Sequence, residues 1–133
     1  MSDQRARGSR ARGRARRLAM QALYQWDMAG QDIGSIEEQF LEEQDFQGAD
    51  REYFGELLHG IPARLDALDA RLGPALSRGL AELDPVERAI LRLGAFELME
   101  RLEVPYRVAI NEAVELAKAF GVEQGHRFVN GVM

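Results

Sequence analysis

Seven arginines, at positions 5, 7, 10, 12, 14, 16 and 17, stand in the first twenty residues against one acid, Asp3. Clustered guanidinium groups suit polyphosphate, because each phosphate they neutralise releases condensed counterions. The remainder of the chain has the opposite sign, with ten basic and 21 acidic side chains and an overall net charge of −5. A basic end on an acidic body points to a nucleic-acid or membrane contact. The first half of the run has no bulky apolar residue, so little would drive it into a lipid interface. An Arg-rich presequence has a similar composition, but here the run passes directly into a helical packing stripe. The bland alternative is a disordered, solubilising tail.

Ala15, Leu18, Ala19, Ala22, Leu23 and Trp26 make that stripe, at the spacing of one helix face. At 100° per residue, Arg14, Arg17, Gln21 and Tyr24 fall on the opposite side. Cations can hold phosphates, and an aromatic ring can stack on an unpaired base. Tyr24 is equally suited to packing on a neighbouring helix or subunit.

Other chemistry is poorly supplied. There is no cysteine, which excludes disulfides, thiol catalysis and thiolate metal sites and fits a reducing cytoplasm. Threonine is absent, and serine occurs only at 2, 9, 35 and 77. The sequence has no Gly-rich phosphate loop, no HExxH and no metal-spaced histidine pair. His59 and His126 read as helix-surface or helix-end residues, and the pairs Glu37-Glu38 and Glu42-Glu43 as solvated faces. We expect no enzyme activity, no cofactor and no metal site. Apolar runs are too short to span a bilayer.

The elements that must carry the cationic face are helical throughout. With 46% hydrophobic residues the chain should fold. The first dozen residues read as a flexible arm, and a helix begins near residue 14 and ends at Gly30. Ser35 to Glu38 reads as a capping box opening a second helix with Ile36, Phe40 and Leu41 on its apolar side. Asp50 should cap a third, burying Tyr53, Phe54, Leu57, Leu58 and Ile61, then Leu65, Leu68 and Leu72. Pro62 predicts a kink or break within it. After Gly73-Pro74 a short helix should run through Leu80. Asp84-Pro85-Val86-Glu87 is a strong helix start. The helix behind it is apolar nearly all round (Ile90, Leu91, Leu93, Phe96, Leu98, Met99, Leu102) and should lie centrally. Beyond Pro105, the residues Val108, Ala109, Ala113, Leu116 and Ala117 define another helix, ended by Gly121. A last helix should start near Glu123 and carry Phe128, Val129 and Val132. No segment alternates with period two, so the fold is expected to be all-α.

The segments "RARRLAMQALYQW", "YFGELLHGI", "VERAILRLGAFEL" and above all "VPYRVAINEAVELAKAFGVEQGHRFVNGV" resemble the NusB family of transcription antitermination factors, from about residue 12 to the end. The resemblance implies two small helical bundles of about seven helices, over about 14–81 and 82–133, behind a flexible basic arm at 1–13. It implies no enzymatic activity. It further implies pairing with a ribosomal small-subunit protein, NusE, and joint binding to the boxA element of nascent ribosomal RNA. RNA polymerase, in an elongation complex with other Nus factors, would then pass terminators.

Carried to this sequence, the resemblance implies RNA contacts at Arg12, Arg14, Arg16 and Arg17, and at a second surface formed by Phe120, Gln124 and Arg127. Tyr24 and Glu87 would face the ribosomal protein, which competes with the stacking role for Tyr24. Gly13 and Arg17 alter the family's charge pattern, and Gln124 stands where an acid is common. Pro62 interrupts a helix that the family would continue, and relatives tend to extend a few residues past Met133.

Two rival readings share the fold. NusB-like domains also open certain ribosomal RNA cytosine methyltransferases, but no methyl-donor-binding region is apparent in these 133 residues. A helical protein-interaction module that never touches RNA would need the arm to be dispensable. Monomer and homodimer are both compatible with the sequence.

Overall fold

The computed structural model describes residues 2–76 and 79–120. Among these residues six α-helices follow one another: α1 (Ser2–Ala29), α2 (Ile33–Glu43), α3 (Arg51–Ala63), α4 (Leu65–Leu72), α5 (Pro85–Glu100) and α6 (Tyr106–Ala119). There is no strand among the described residues, as the periodicity requires. The helix expected from Glu123 lies outside them.

Helix α1 starts at Ser2 rather than near residue 14. Alanine and arginine are among the strongest helix formers, and together they outweigh Gly8 and Gly13. Within the first thirteen residues the Ala11 carbonyl accepts from the Asp50 amide at 3.0 Å. Gly30, at φ 67°, closes the helix in the left-handed conformation that glycine adopts without strain.

Aspartates set the other helix starts. Asp32, not Ser35, caps α2, accepting the Ser35 amide at 3.2 Å. Asp32 sits one turn earlier and does the same chemistry, leaving the serine inside the first turn. Asp50 accepts from the Tyr53 amide at 2.9 Å and Asp84 from the Val86 amide at 2.8 Å, both as expected. The break foreseen at Pro62 falls just after it. Helix α3 ends at Ala63, and Arg64 leaves helical geometry at φ −116°, ψ 20° before α4 begins.

The chain divides into two compact units, 1–60 and 61 onward. In the second, α4 packs on α5 and is clamped to it by Arg92. The Nε and Nη2 of Arg92 donate to the two carboxylate oxygens of Asp69, each at 2.9 Å.

In the first unit the buried residues include Ala15, Ala19, Met20, Ala22 and Leu23 of α1, Ile36 and Phe40 of α2, and Tyr53, Phe54, Leu57 and Leu58 of α3. Phe54 stacks on Phe40 at 6.1 Å and takes the edge of Phe46 at 4.9 Å and 80°. Trp26 is only half-buried, and Leu41 is exposed.

In the second unit α5 is buried at Ala89, Ile90, Leu91, Leu93, Gly94, Ala95, Phe96 and Glu97, the central position its composition predicts. Leu98 and Met99 are half-buried. Leu102, expected in the same core, is 84% exposed. The helix stops at Glu100, so the helical period no longer governs where residue 102 lies. Helix α6 buries Ala109, Ala113, Leu116 and Ala117, a stripe as predicted. Instead of a short helix to Leu80 there are two 3-10 turns, Gly73–Ala75 and Leu80–Glu82.

Candidate nucleic-acid interface

Helical spacing sorts Arg12, Arg14, Arg16 and Arg17 of α1 into two groups. Arg12 and Arg16, four residues apart, share one face and turn toward Tyr53 of α3. Their guanidinium carbons stand 4.2 and 5.6 Å from the ring centroid. Arg16 is 2% exposed, and Tyr53 1%. A planar guanidinium over an aromatic face is held by the ring quadrupole, so these two cations are spent largely on packing. Of the four arginines implied by resemblance to touch RNA, Arg16 is therefore placed inside the fold and Arg12 half-inside.

Arg14 and Arg17 are exposed. With Leu18, Gln21, Asp45 and Gln47 they line an open groove of about 550 Å³. The groove has the features that the helix projection foresaw, two cations and the Gln21 amide, with Tyr24 exposed farther along α1. Its far wall was not foreseen. The segment between α2 and α3 supplies Asp45 and Gln47, and the Asp45 carboxylate accepts the Gln47 amide at 2.9 Å. Arg14 Nη1 reaches across to the Gln47 carbonyl at 3.4 Å. Two guanidinium groups, two carboxamides and one carboxylate thus face one cleft. That set can hold a phosphate backbone and offer donors and acceptors to a base edge.

The remaining predicted residues lie elsewhere. Phe120 is half-buried at the end of α6, its amide bonded to the Leu116 carbonyl. Gln124 and Arg127 lie outside the described residues. Glu87 is half-buried in the first turn of α5, just behind the Asp84 cap. His59 is a surface residue whose Nε2 stands 2.9 Å from Glu37 Oε1. Among the described residues no group of acids and histidines could hold a metal ion. No described helix is long and apolar enough to cross a membrane.

Residues 13–133 match the sequence profile of the NusB family. The transcription antitermination protein NusB of Alcanivorax borkumensis is 58% identical over 123 residues, 92% of this chain and 82% of that protein. That of Alkalilimnicola ehrlichii is 54% identical over 143 residues, 95% of this chain and 80% of the relative. A crystal structure of antitermination factors NusB and NusE in complex with dsRNA is similar at a TM-score of 0.82. It shares 30% identity and covers 92% of each chain.

Proposed function

This chain belongs to the NusB family, and from that premise we propose that it is an RNA-binding transcription antitermination factor, not an enzyme. With the ribosomal protein NusE it binds the boxA element of nascent ribosomal RNA in the cytoplasm and helps RNA polymerase, with other Nus factors, pass terminators. The observation that carries this reading is the groove in which Arg14 and Arg17 face solvent beside Gln21 and Gln47. It places cations where a phosphate backbone can reach them, next to groups that can bond bases.

Within this reading Arg14 and Arg17 hold phosphates, assisted at the margin by Arg12. Phe120, Gln124 and Arg127 form the second RNA surface, and Tyr24 and Glu87 face the ribosomal protein. Support for the last assignment is chemical. An exposed phenol and a carboxylate at a helix start suit a basic partner such as a ribosomal protein.

Titrating a boxA-like single-stranded RNA and a scrambled control, with and without NusE, tests the proposal. Preference for boxA that strengthens when the ribosomal protein is added is the expected result. Equal binding of both RNAs under both conditions would leave only a nonspecific cation patch.

A further inference from the structure

The wall of the groove opposite α1 is a tight turn over residues 46–49, and its construction bears on Arg14. The Ala49 amide donates to the Phe46 carbonyl at 2.9 Å, closing a four-residue β-turn. Gly48, third in that turn, has φ 76°, the value a type II turn demands at this position. The turn is anchored on both sides. Phe46 is 5% exposed and wedged edge-on against Phe54, and the Asp50 amide is bonded to the Ala11 carbonyl. Asp45 adds a bond to the Gln47 amide.

The Arg14 guanidinium lies across this turn, over Gly48. A Cβ added to Gly48 would overlap Arg14 Nη1 and stand 3.2 Å from Cζ. The bare glycine is what lets Nη1 settle toward the Gln47 carbonyl. Arginine has a flexible stem and loses much rotamer freedom when its head is fixed. A rigid seat that has already fixed it lowers the cost of gripping a phosphate.

We infer that Gly48 is a positioning residue for RNA binding: its missing side chain seats the Arg14 guanidinium on the 46–49 turn, ready for phosphate. The inference rests on the RNA reading proposed above and deepens it. A glycine kept only for its backbone conformation is the competing account, and the two differ in what happens to Arg14.

The test uses Gly48→Asn, because asparagine takes positive φ more readily than other L-residues yet still brings a Cβ against Arg14. The displaced atoms are the far end of a flexible side chain, so the fold should absorb the change with little loss of Tm. Binding of a boxA-like RNA to the full chain is measured across salt concentrations for Gly48→Asn, Arg14→Ala and the double variant. Gly48→Asn should weaken binding by part of the loss that Arg14→Ala causes, because the displaced guanidinium keeps its charge. Arg14→Ala should flatten the slope of log K against log salt by about 0.7, one phosphate's share on a single strand, whereas Gly48→Asn should leave it nearer the wild-type value. The double variant should be no weaker than Arg14→Ala. Wild-type affinity in Gly48→Asn, or losses that add in the double variant, would overturn the inference alone. Absence of RNA binding by the unaltered chain would overturn the RNA reading and this inference together.

Discussion

Arg16 and its neighbour Arg17 are consecutive in sequence and opposite in environment: Arg16 is 2% exposed over the Tyr53 ring, whereas Arg17 faces the open groove. Their substitutions should therefore separate stability from RNA affinity. Arg16→Ala removes a cation–π contact and a buried aliphatic stem, and should cost about 1–2 kcal/mol of folding stability. Denaturant titration checks the first effect. The salt slope of RNA binding should stay as it is in the wild type.

The outward pair should behave in the reverse sense. Replacing Arg14 and Arg17 together by alanine should leave the denaturation midpoint nearly unchanged, since both are exposed. The salt slope should flatten by about 1.4, two phosphates at about 0.7 each on a single strand. Affinity for boxA and scrambled RNA should fall in parallel, because phosphate contacts carry no sequence information directly. Fluorescence anisotropy over a salt series distinguishes this from a loss confined to boxA.

Glu87 stands in the first turn of α5, where the helix dipole favours a carboxylate by about 0.3–1 kcal/mol. Glu87→Lys forfeits that benefit and turns a like charge toward a basic partner. Calorimetry should show weakened binding of NusE, with direct RNA binding by the free protein little changed. Partner affinity equal to wild type would remove Glu87 from that interface.

Phe120 and Phe54 make a controlled pair. Phe54 is fully buried among aromatic neighbours, so Phe54→Ala should cost about 3–5 kcal/mol of stability. Phe120 is half-buried at the α6 terminus, and its removal should cost clearly less. If it stacks on a base, Phe120→Ala should instead lose about 1–3 kcal/mol of RNA affinity, chiefly for boxA over scrambled RNA. Thermal melts beside RNA titrations read both quantities, and unaltered discrimination would end the stacking role.

Periodicity and caps carried most of the fold, because both depend on residues within one or two turns of each other. The stripes of α1, α3, α5 and α6 and the caps Asp50 and Asp84 lie where such spacing puts them. The α2 cap falls on Asp32 and not on Ser35, and local spacing does not separate the two, since both side chains suit the position. Leu102 was misplaced because a periodic reading does not show where a helix stops. For the site, the outward set Arg14, Arg17 and Gln21 was legible from the helix projection alone. The inward turn of Arg16 was not drawn out, because its partner Tyr53 is remote in sequence and belongs to another helix. Gly48 gave the weakest signal of all: a Gln-Gly step between Phe46 and Asp50 marks a turn, but nothing in it names Arg14 as what lies above.

The bond from the Asp50 amide to the Ala11 carbonyl has a consequence for hydrogen exchange. Asp50 also caps α3 through its side chain, so one residue joins the start of that helix to the arginine-bearing part of α1. Terminal helices ordinarily fray, and their amides exchange through local openings of low free energy. Here the Asp50 amide is released for exchange when α1 lifts away, an opening that also uncovers the ring beneath Arg12 and Arg16. Protection of the Asp50 and Tyr53 amides should therefore rise and fall together, reporting the attachment of the cationic helix as part of one cooperative unit.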